Sequence, residues 1–477
     1  MTKIRKFAAS AIAVSLALSL VACGTTSTTS EKGSSVKGAD TQAAASAEPA
    51  KKVKIILYEK KLPSEPDEMQ QSYDLRLKRF QEKYPNVEIE VKGWVNEQEY
   101  RQEYDKALMA GNAPTVNRNL PYVDIPARIA NGTVADITKF VGSWDLKKEN
   151  KVWTAFDDAI SKDGKWYAIP YKPYISCIPY NAKALKAAGV DTNSLPKTWD
   201  EFGKLGTKLT DPSKPQYGIL LLGMDWNAWE FTPWVWSAGG EMIRENADGT
   251  YKIAFNEDPG VDAAMFWHDL IWKYKASQKN VLEDWDAFQD DIASGRGVFG
   301  FGDPTWTITN SKTKYGFTDE DFGEIPFPTK DASIPAPSLA GGEVWTFNPK
   351  ADDDQLQAAW NYATMVSYDD KFYLEEQKLE YDNNCFDYGP APRLDLQDKK
   401  MAMNTTMPEQ WKKDFTAASL HAKPEPYCPN WGDLKNEIAK PLQKIILKEN
   451  ITRDETKKIL DDCAETLYKK FPDSFKK

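Results

Sequence analysis

The stretch Val53–Lys92, VKIILYEKKLPSEPDEMQQSYDLRLKRFQEKYPNVEIEVK, decides the architecture. Its first seven residues, Val53 to Glu59, are a short apolar run of the kind that makes a strand. From Asp67 to Tyr84, Tyr73, Leu77, Phe80 and Tyr84 recur at three- and four-residue intervals, which puts one apolar face on a helix that Pro85 stops. Val87, Ile89 and Val91 then alternate with acidic residues and lysine as a strand does. The order is β-α-β. A further helix is expected over Glu97 to Ala110, with Tyr100, Tyr104, Ala107 and Leu108 on one face and Gly111 at its end, and Thr133 to Phe140 starts another segment. Strands alternating with helices predict an α/β fold with a largely parallel sheet, whose ligands bind at the carboxyl ends of the strands.

Working outward to the N-terminus, Lys3, Arg5 and Lys6 precede an uncharged run of small and apolar residues, Ala8 to Ala22. The run is too short for a spanning helix of about 20 residues and has the pattern of an export signal, 1–22. It ends in Leu20-Val21-Ala22-Cys23, which resembles the lipobox of bacterial lipoproteins, where the cysteine becomes the first mature residue and carries a lipid anchor. Residues 23–52 are Gly, Ser, Thr, Ala and a few charges, unable to bury enough apolar surface to order themselves, and are expected to be a flexible tether.

Working outward to the C-terminus, Trp166 to Tyr180 is rich in aromatics and proline, Asn181 to Ala188 reads as a helix, and Thr198 with Glu201 forms a capping box that starts another. Asp248-Gly249 between Met242-Ile243 and Tyr251–Phe255 signals a hairpin. Gln355 to Val366 reads as a helix behind three aspartates suited to its positive end, and Thr452 with Glu455 caps a terminal amphipathic helix through Leu460, Cys463, Leu467 and Phe471. No repeat of solenoid or propeller period is present.

The 477 residues are about three times the length of a typical domain, and a mean hydropathy of −0.60 excludes a polytopic membrane protein. Net charge is −10 with basic residues interspersed among acids, so nucleic acid is excluded as a partner. Two histidines argue against a His-rich metal site and against histidine catalysis, and His268, among Phe266, Trp267 and Trp272, reads as core. Cys177, Cys385, Cys428 and Cys463 are too widely spaced for a metal site and are expected to be buried thiols rather than a disulfide framework. Gly295-Arg-Gly-Val-Phe-Gly300 matches a dinucleotide-binding string, but no helix is expected to start close enough beyond Gly302-Asp303-Pro304. Asn246, Asp248, Thr250 and Glu257 fall at calcium-loop offsets, yet Tyr251 stands where that loop needs glycine, and a hairpin explains them better. Serine-hydrolase, zincin and Walker strings are absent, although a glycosidase carboxylate pair, distinguished only by a separation of roughly 5 to 9 Å, stays open.

The unusual feature is aromatic: 17 Trp, 21 Tyr and 20 Phe. Trp226, Trp229, Trp234 and Trp236 fall within eleven residues, while Trp306, Trp345 and Trp431 stand beside Gly, Pro or Asn and are expected in loops. An indole in a loop exposes apolar area that a ligand or partner would cover, and indoles pack well against the C–H faces of sugars.

Together these segments resemble the family 1 extracellular solute-binding proteins of ABC importers, the maltose-binding-protein-like group, over about 53 to 477. The resemblance is carried by Phe80 to Ile89, by Tyr104 to Pro114 (YDKALMAGNAP), and above all by Asp163 to Pro170 (DGKWYAIP), Pro179 to Lys183 (PYNAK) and Leu195 to Phe202 (LPKTWDEF) in that order and spacing. Gly297 to Trp306 and Gly341-Gly342 with the helix after them also fit. Thr115 replaces the usual aspartate after the Gly-x-x-Pro turn, and Ala182 the usual lysine of Tyr-Asn-Lys.

The resemblance implies a two-lobe periplasmic-binding-protein fold of the type II, Venus-flytrap kind. Lobe 1 would be 53–168 with 342–395, and lobe 2 would be 169–341 with 396–477. A carbohydrate would bind in the cleft, and the loaded monomer would dock on the transmembrane subunits of an ABC permease from the outer face of the cytoplasmic membrane, anchored through Cys23. Position by position, Trp229, Trp306 and Trp431 match ring-stacking positions, Tyr174 and Asn227 polar contacts, while Glu59, Asn119, Asp124, Glu343 and Trp345 are placed by loop or by nearness to a crossing. No cofactor, metal or catalysis is implied. The rivals are a lipid-anchored glycoside-active enzyme, a receptor for a non-sugar solute, and an adhesin or structural lipoprotein.

Overall fold

The computed structural model describes residues 51–58, 69–92, 97–224, 226–302, 304–420 and 422–477, without the side chains of residues 97–101 and 420. The expected signal 1–22, Cys23, most of the tether and Glu59 lie outside the described residues.

The opening forms as the periodicity predicts: β1 (Val53–Tyr58), α1 (Met69–Lys83), β2 (Val87–Lys92), then α2 (Glu97–Ala110) and β3 (Val116–Pro121). β1 and β2 are parallel, with Val53 opposite Val87 and Tyr58 opposite Lys92, and β3 joins parallel to β1 at Leu57–Val116. Helical spacing turns Tyr73 and Phe80 inward; Phe80 is fully buried, its ring 5.1 Å edge-on from Tyr362, a burial that stabilises by about 1.5–3 kcal/mol. Short helical turns between 122 and 160 lead to β4 (Ala168–Ser176), β5 (Ile178–Asn181) and α3 (Ala182–Ala187), capped by the Asn181 side chain.

Next come α4 (Trp199–Leu209), β6 (Tyr217–Ile219), α5 (Asn227–Ser237), the hairpin β7 (Ile243–Glu245) and β8 (Tyr251–Ile253), α6 (Asp258–Trp272), β9 (Gly297–Phe299), α7 (Pro304–Tyr315) and β10 (Phe322–Ile325). The chain finishes with β11 (Ser338–Phe347), α8 (Asp353–Tyr368), α9 (Asp370–Asp382), α10 (Glu409–Leu420), β12 (Ala422–Pro424), α11 (Trp431–Leu447) and α12 (Arg453–Lys470). The capping boxes at Thr198/Glu201 and Thr452/Glu455 are present, and Asp352 with Gln355 makes a third; each satisfies N–H groups that the first helical turn leaves over. Gly249 at φ 78° closes the hairpin expected at Asp248-Gly249.

Two sheets define two lobes. The first runs β12-β11-β3-β1-β2, with β4 also paired to β11, and α8 packs on β1 and β3 while α1 lies beside α8 and α9. The second runs β10-β5-β9-β6, with α4 on β6 and α10 on β10; α5, α6, α11 and α12 pack together behind it. β4 passes from the first sheet into β5 of the second with only Cys177 between them, and β11 returns antiparallel to β4, Leu339 opposite Ser176 and Thr346 opposite Ala168. The borders expected at 168/169 and 341/342 fall inside these two crossing strands.

Several expectations need correcting. Trp306 sits in the first turn of α7, Trp431 begins α11, and Trp345 lies within β11, so the three tryptophans expected in loops are all in regular elements. Pro304 is the cause for Trp306, because proline's fixed φ and missing N–H suit the first helical position. The same helix corrects the reading of the glycine string: a helix does start at Pro304, but Gly297 is part of strand β9, and Gly297 and Gly300 leave room for Leu220 and Ile292. His268 is buried, as expected, its Nε2–H donating to the Glu449 carbonyl oxygen at 3.0 Å. The four cysteines are buried thiols, with Cys177 Sγ donating to the Glu324 carboxylate at 3.1 Å. No described helix is long and apolar enough to cross a membrane.

Candidate functional site

The site grows from the turn between β6 and α5. Gly223 passes so close to Val281 that any β-carbon would overlap it, and Trp226 closes the turn in the left-handed region at φ 67°. That conformation costs a non-glycine residue of order 1–2 kcal/mol and is held only where the surroundings impose it. Here they do. Glu230 on α5 reaches back to accept the Leu222 N–H at 2.8 Å, and Asn227 donates to the carbonyls of Gly223 at 3.4 Å and Ala439 at 3.1 Å.

This turn delivers Trp229 in the first helical turn. Its ring is only 8% exposed and meets Phe301 at 4.6 Å, Trp285 at 5.8 Å and Tyr174 at 6.0 Å. Its indole Nε1 is buried with no hydrogen-bond partner. A buried donor left unsatisfied costs about 1–3 kcal/mol, so the position asks for an acceptor. Tyr174 comes from the crossing strand β4 and lies over Gly341 of β11, where a β-carbon would overlap its ring; at Gly342 a β-carbon would stand 2.8 Å from Phe156. The glycine pair thus seats two rings. Phe156 in turn stacks on Tyr122 at 4.0 Å, and the Tyr122 hydroxyl donates to the Glu425 carbonyl at 2.7 Å.

The other expected residues divide by burial. Trp431 is 1% exposed and its Nε1–H donates to the Glu425 carboxylate at 2.7 Å, which Lys435 also holds at 2.8 Å; it backs the aromatic line rather than facing a ligand. Trp345 is fully buried in the first-lobe core, bonded to Ser367 Oγ at 2.8 Å and packed on Tyr171 and Tyr362, so it has no surface for a sugar. Asn227 is 1% exposed with its amide N–H groups committed to backbone, which makes it a support for the turn. Trp306 is half-buried on α7. Asn119 lies within β3, buried, with its N–H donating to the Asn117 side-chain oxygen, Asp124 closes the 3-10 turn after that strand, and half-buried Glu343 sits on β11 opposite Lys172 and opposite Pro121 at the end of β3. Trp285, Phe301, Tyr122 and Phe156 were missed from sequence; the Gly341-Gly342 pair was the one signal for the last of them.

Charge ties the site to the crossings. Thr305, beside Trp306, donates to Asp387 at 3.3 Å and accepts the Tyr388 N–H at 3.1 Å. Asp387 in turn accepts from the fully buried Lys400 at 2.7 Å, with Lys172 of β4 3.7 Å away. Burial would raise the Asp387 carboxyl, but Lys172 and Lys400 together hold it down at about 2. At Glu230 burial has no cation to oppose it and pushes the carboxyl from 4.5 up to about 8. A folded-state value above the unfolded one means stability is full below about pH 4.5 and falls as pH rises toward 8. Glu230→Gln, which keeps an oxygen for Leu222, is expected to remove most of that fall and to raise stability at pH 8; denaturant titrations at pH 5 and pH 8 check it.

Among the described residues no cluster of His, Cys, Asp and Glu could hold a metal ion. What the geometry offers is a largely buried aromatic cluster between the two sheets, reached by half-buried Tyr174 and Trp285, with the Trp229 indole N–H left without a partner. Comparison with known proteins agrees with the two-lobe fold. Maltose-bound MalE3 of T. maritima superposes with a TM-score of 0.70 at 20% identity, covering 87% of this chain and 100% of that one. A solute-binding protein of an ABC transporter from Thermotoga lettingae, solved with α-D-tagatose, gives 0.73 at 20% identity over 88% and 99%. At such identities the likeness shows the two-lobe fold. A putative ABC transporter periplasmic-binding protein, YcjN of Escherichia coli K12, is 26% identical over 134 residues, 28% of this chain and 30% of the relative, so the chain matches under a third of that relative's length. Residues 63–370, well over half of the chain, match the family of bacterial extracellular solute-binding proteins, and the chain belongs to it.

Proposed function

We propose that this protein captures a sugar or oligosaccharide between its lobes and hands it to the membrane permease of an ABC importer. The observation that carries the reading is Trp229: a large ring at the lobe junction whose buried N–H has no partner, next to Tyr174 from a crossing strand. A sugar supplies both what the ring lacks in apolar cover and what the N–H lacks in an acceptor, since a hydroxyl accepts as well as donates. The relatives solved with tagatose and maltose support the ligand class. On this reading Trp306, Asn119, Asp124 and Glu343 would add aromatic and polar contacts to the sugar.

Binding on one lobe and closure by the other amounts to a two-state shift. Moving it from 1:99 to 99:1 takes about 5.5 kcal/mol of preference for the closed form, within reach of a stacked ring and a few buried hydrogen bonds. The exported chain would stay near its permease as a monomer, held by a lipid on Cys23 and the tether that follows. A thermal-shift screen of the purified protein over mono- and oligosaccharides tests the reading. A ligand at 100 times its dissociation constant adds about 2.7 kcal/mol and raises the melting temperature. New reducing ends after incubation would replace it with the enzyme reading, and a screen in which only non-sugar solutes stabilise would move the ligand class.

A further inference from the structure

A single residue, Cys177, joins β4 to β5, and both sheets hold it. On one side Ser176 ends β4 opposite Leu339 of β11, in the first sheet. On the other, β5 pairs antiparallel with β9 at Tyr180–Phe299, the Gly300 N–H donates to the Pro179 carbonyl at 3.1 Å, and Cys177 and Gly302 continue the register. The Cys177 N–H donates to the Gly302 carbonyl at 3.3 Å, and its own carbonyl accepts the Gly302 N–H at 3.4 Å. The rings of the site hang on this bridge. Tyr174, a little before Cys177 on the crossing strand, lies 6.0 Å from Trp229, and Phe301, next to Gly302, lies 4.6 Å from it. A β-carbon at Gly302 would stand 3.6 Å from Trp285, the third ring against Trp229.

Both backbone bonds are longer than the usual N–H···O distance of about 2.9–3.0 Å, so the bridge alone is soft. The side chain of Cys177 supplies a further tie. It is fully buried beside Ile175, Ala340 and Ala418, and its Sγ donates at 3.1 Å to the carboxylate of Glu324, which is itself buried on β10, opposite Pro179 of β5. A hydrogen bond to a carboxylate is roughly twice as strong as one between neutral groups, and burial keeps water from competing for this one. Binding geometry has to be held to about 0.5 Å, which is the work of a supporting layer of buried bonds. We infer that the Cys177–Glu324 pair positions the ligand site: it pins the crossing strand to the second sheet and thereby sets Tyr174 and Phe301 around Trp229. Both side chains are buried, so they act through those rings and not as ligand contacts. The inference rests on the carbohydrate reading of Trp229.

Calorimetric titrations with maltose, D-tagatose, cellobiose and xylobiose, with thermal melts of the same samples, test it on the wild type, Cys177→Ala, Cys177→Ser, Glu324→Gln and Cys463→Ala. For each sugar that the wild type binds, Cys177→Ala is expected to lose about tenfold in affinity. Cys177→Ser, whose hydroxyl donates to the same carboxylate, should stay within about threefold of the wild type. Glu324→Gln keeps a weaker, neutral acceptor and should fall between, and Cys177→Ala should cost less on that background than on the wild type. Cys463→Ala removes a buried thiol from α12, away from the crossing, and should lower the melting temperature while affinity holds, which separates positioning from general loss of stability. Alanine at 177 within about twofold of the wild type, alanine and serine equally weak, fully additive losses with Glu324→Gln, or an equal loss in Cys463→Ala overturns the inference alone. A wild type that binds none of the four sugars overturns the carbohydrate reading, and the inference with it.

Discussion

Trp229→Ala is expected to weaken sugar binding by at least about 30-fold, the equivalent of 2 kcal/mol for a buried aromatic anchor. It should also lower stability by about 3–5 kcal/mol, because the ring fills the space between Phe301, Trp285 and Tyr174. Loss of binding in that variant alone would not separate contact from collapse, and Trp229→Phe does. Phenylalanine keeps most of the apolar packing and deletes the buried N–H that has no partner. In the unliganded protein this removes an unsatisfied donor, so stability is expected to hold or rise; with sugar it removes a hydrogen bond worth about 0.5–1.5 kcal/mol, so affinity should fall roughly three- to tenfold. Thermal melts and calorimetry on the same samples read the two effects. A phenylalanine variant that binds as tightly as the wild type would show that the ligand does not use the indole N–H.

Lys400→Met is expected to cost about 3–5 kcal/mol, the range for removing one partner of a buried ion pair. Lys400 is fully buried against Asp387 and the Gly389 carbonyl, both at 2.7 Å, and methionine would leave Asp387 with neutral donors from Thr305 and Gly389 and with Lys172, 3.7 Å away, as its cation. The sign of the pH effect follows. A carboxyl held at about 2 in the folded chain, against 3.8 ordinarily, contributes stability that is complete above about pH 4 and fades as pH falls toward 2. With Lys400 gone that value rises, and the acid-unfolding midpoint should move to higher pH. Lys400→Met combined with Asp387→Leu should recover part of the loss, since a pair replaced by apolar groups leaves no isolated charge. Denaturant and acid titrations measure both; equal destabilisation in the single and double variants would show that the pair does not act as a unit.

How much of this was legible in the sequence depended on the range of the cause. The β1-α1-β2 opening, the capping boxes and the Asp248-Gly249 hairpin rest on residues a few positions apart, and each formed where periodicity or turn chemistry put it. The tryptophans failed for the same local reason. Proline beside Trp306 reads as a loop signal in sequence but is also a way to start a helix, and Trp431 follows an Asn430 whose side chain turns to Asp433 and Ser474 and makes no cap, so nothing local marks the start of α11. Trp345 lies in a strand buried on nearly every residue, where the in-out alternation that betrays a strand is absent. At the site, the density of Trp226, Trp229, Trp234 and Trp236 was visible; Trp229 and Trp234 both keep a buried N–H without a partner, and that Trp229 alone of the two meets Tyr174 of a crossing strand, with Trp285 and Phe301, is set by tertiary packing of distant segments. The same limit held for Lys400, whose burial no neighbouring residue announces.

The ring of Tyr174 and the bare backbone at Gly341 form an inherited couple. Because no β-carbon fits beneath that phenol, drift at 341 is closed for as long as an aromatic occupies 174, and opens once that side chain shrinks. Substitutions at the two positions should therefore be strongly epistatic, tolerated in one order and not in the other, so that a side chain on one crossing strand constrains the evolution of the strand beneath it.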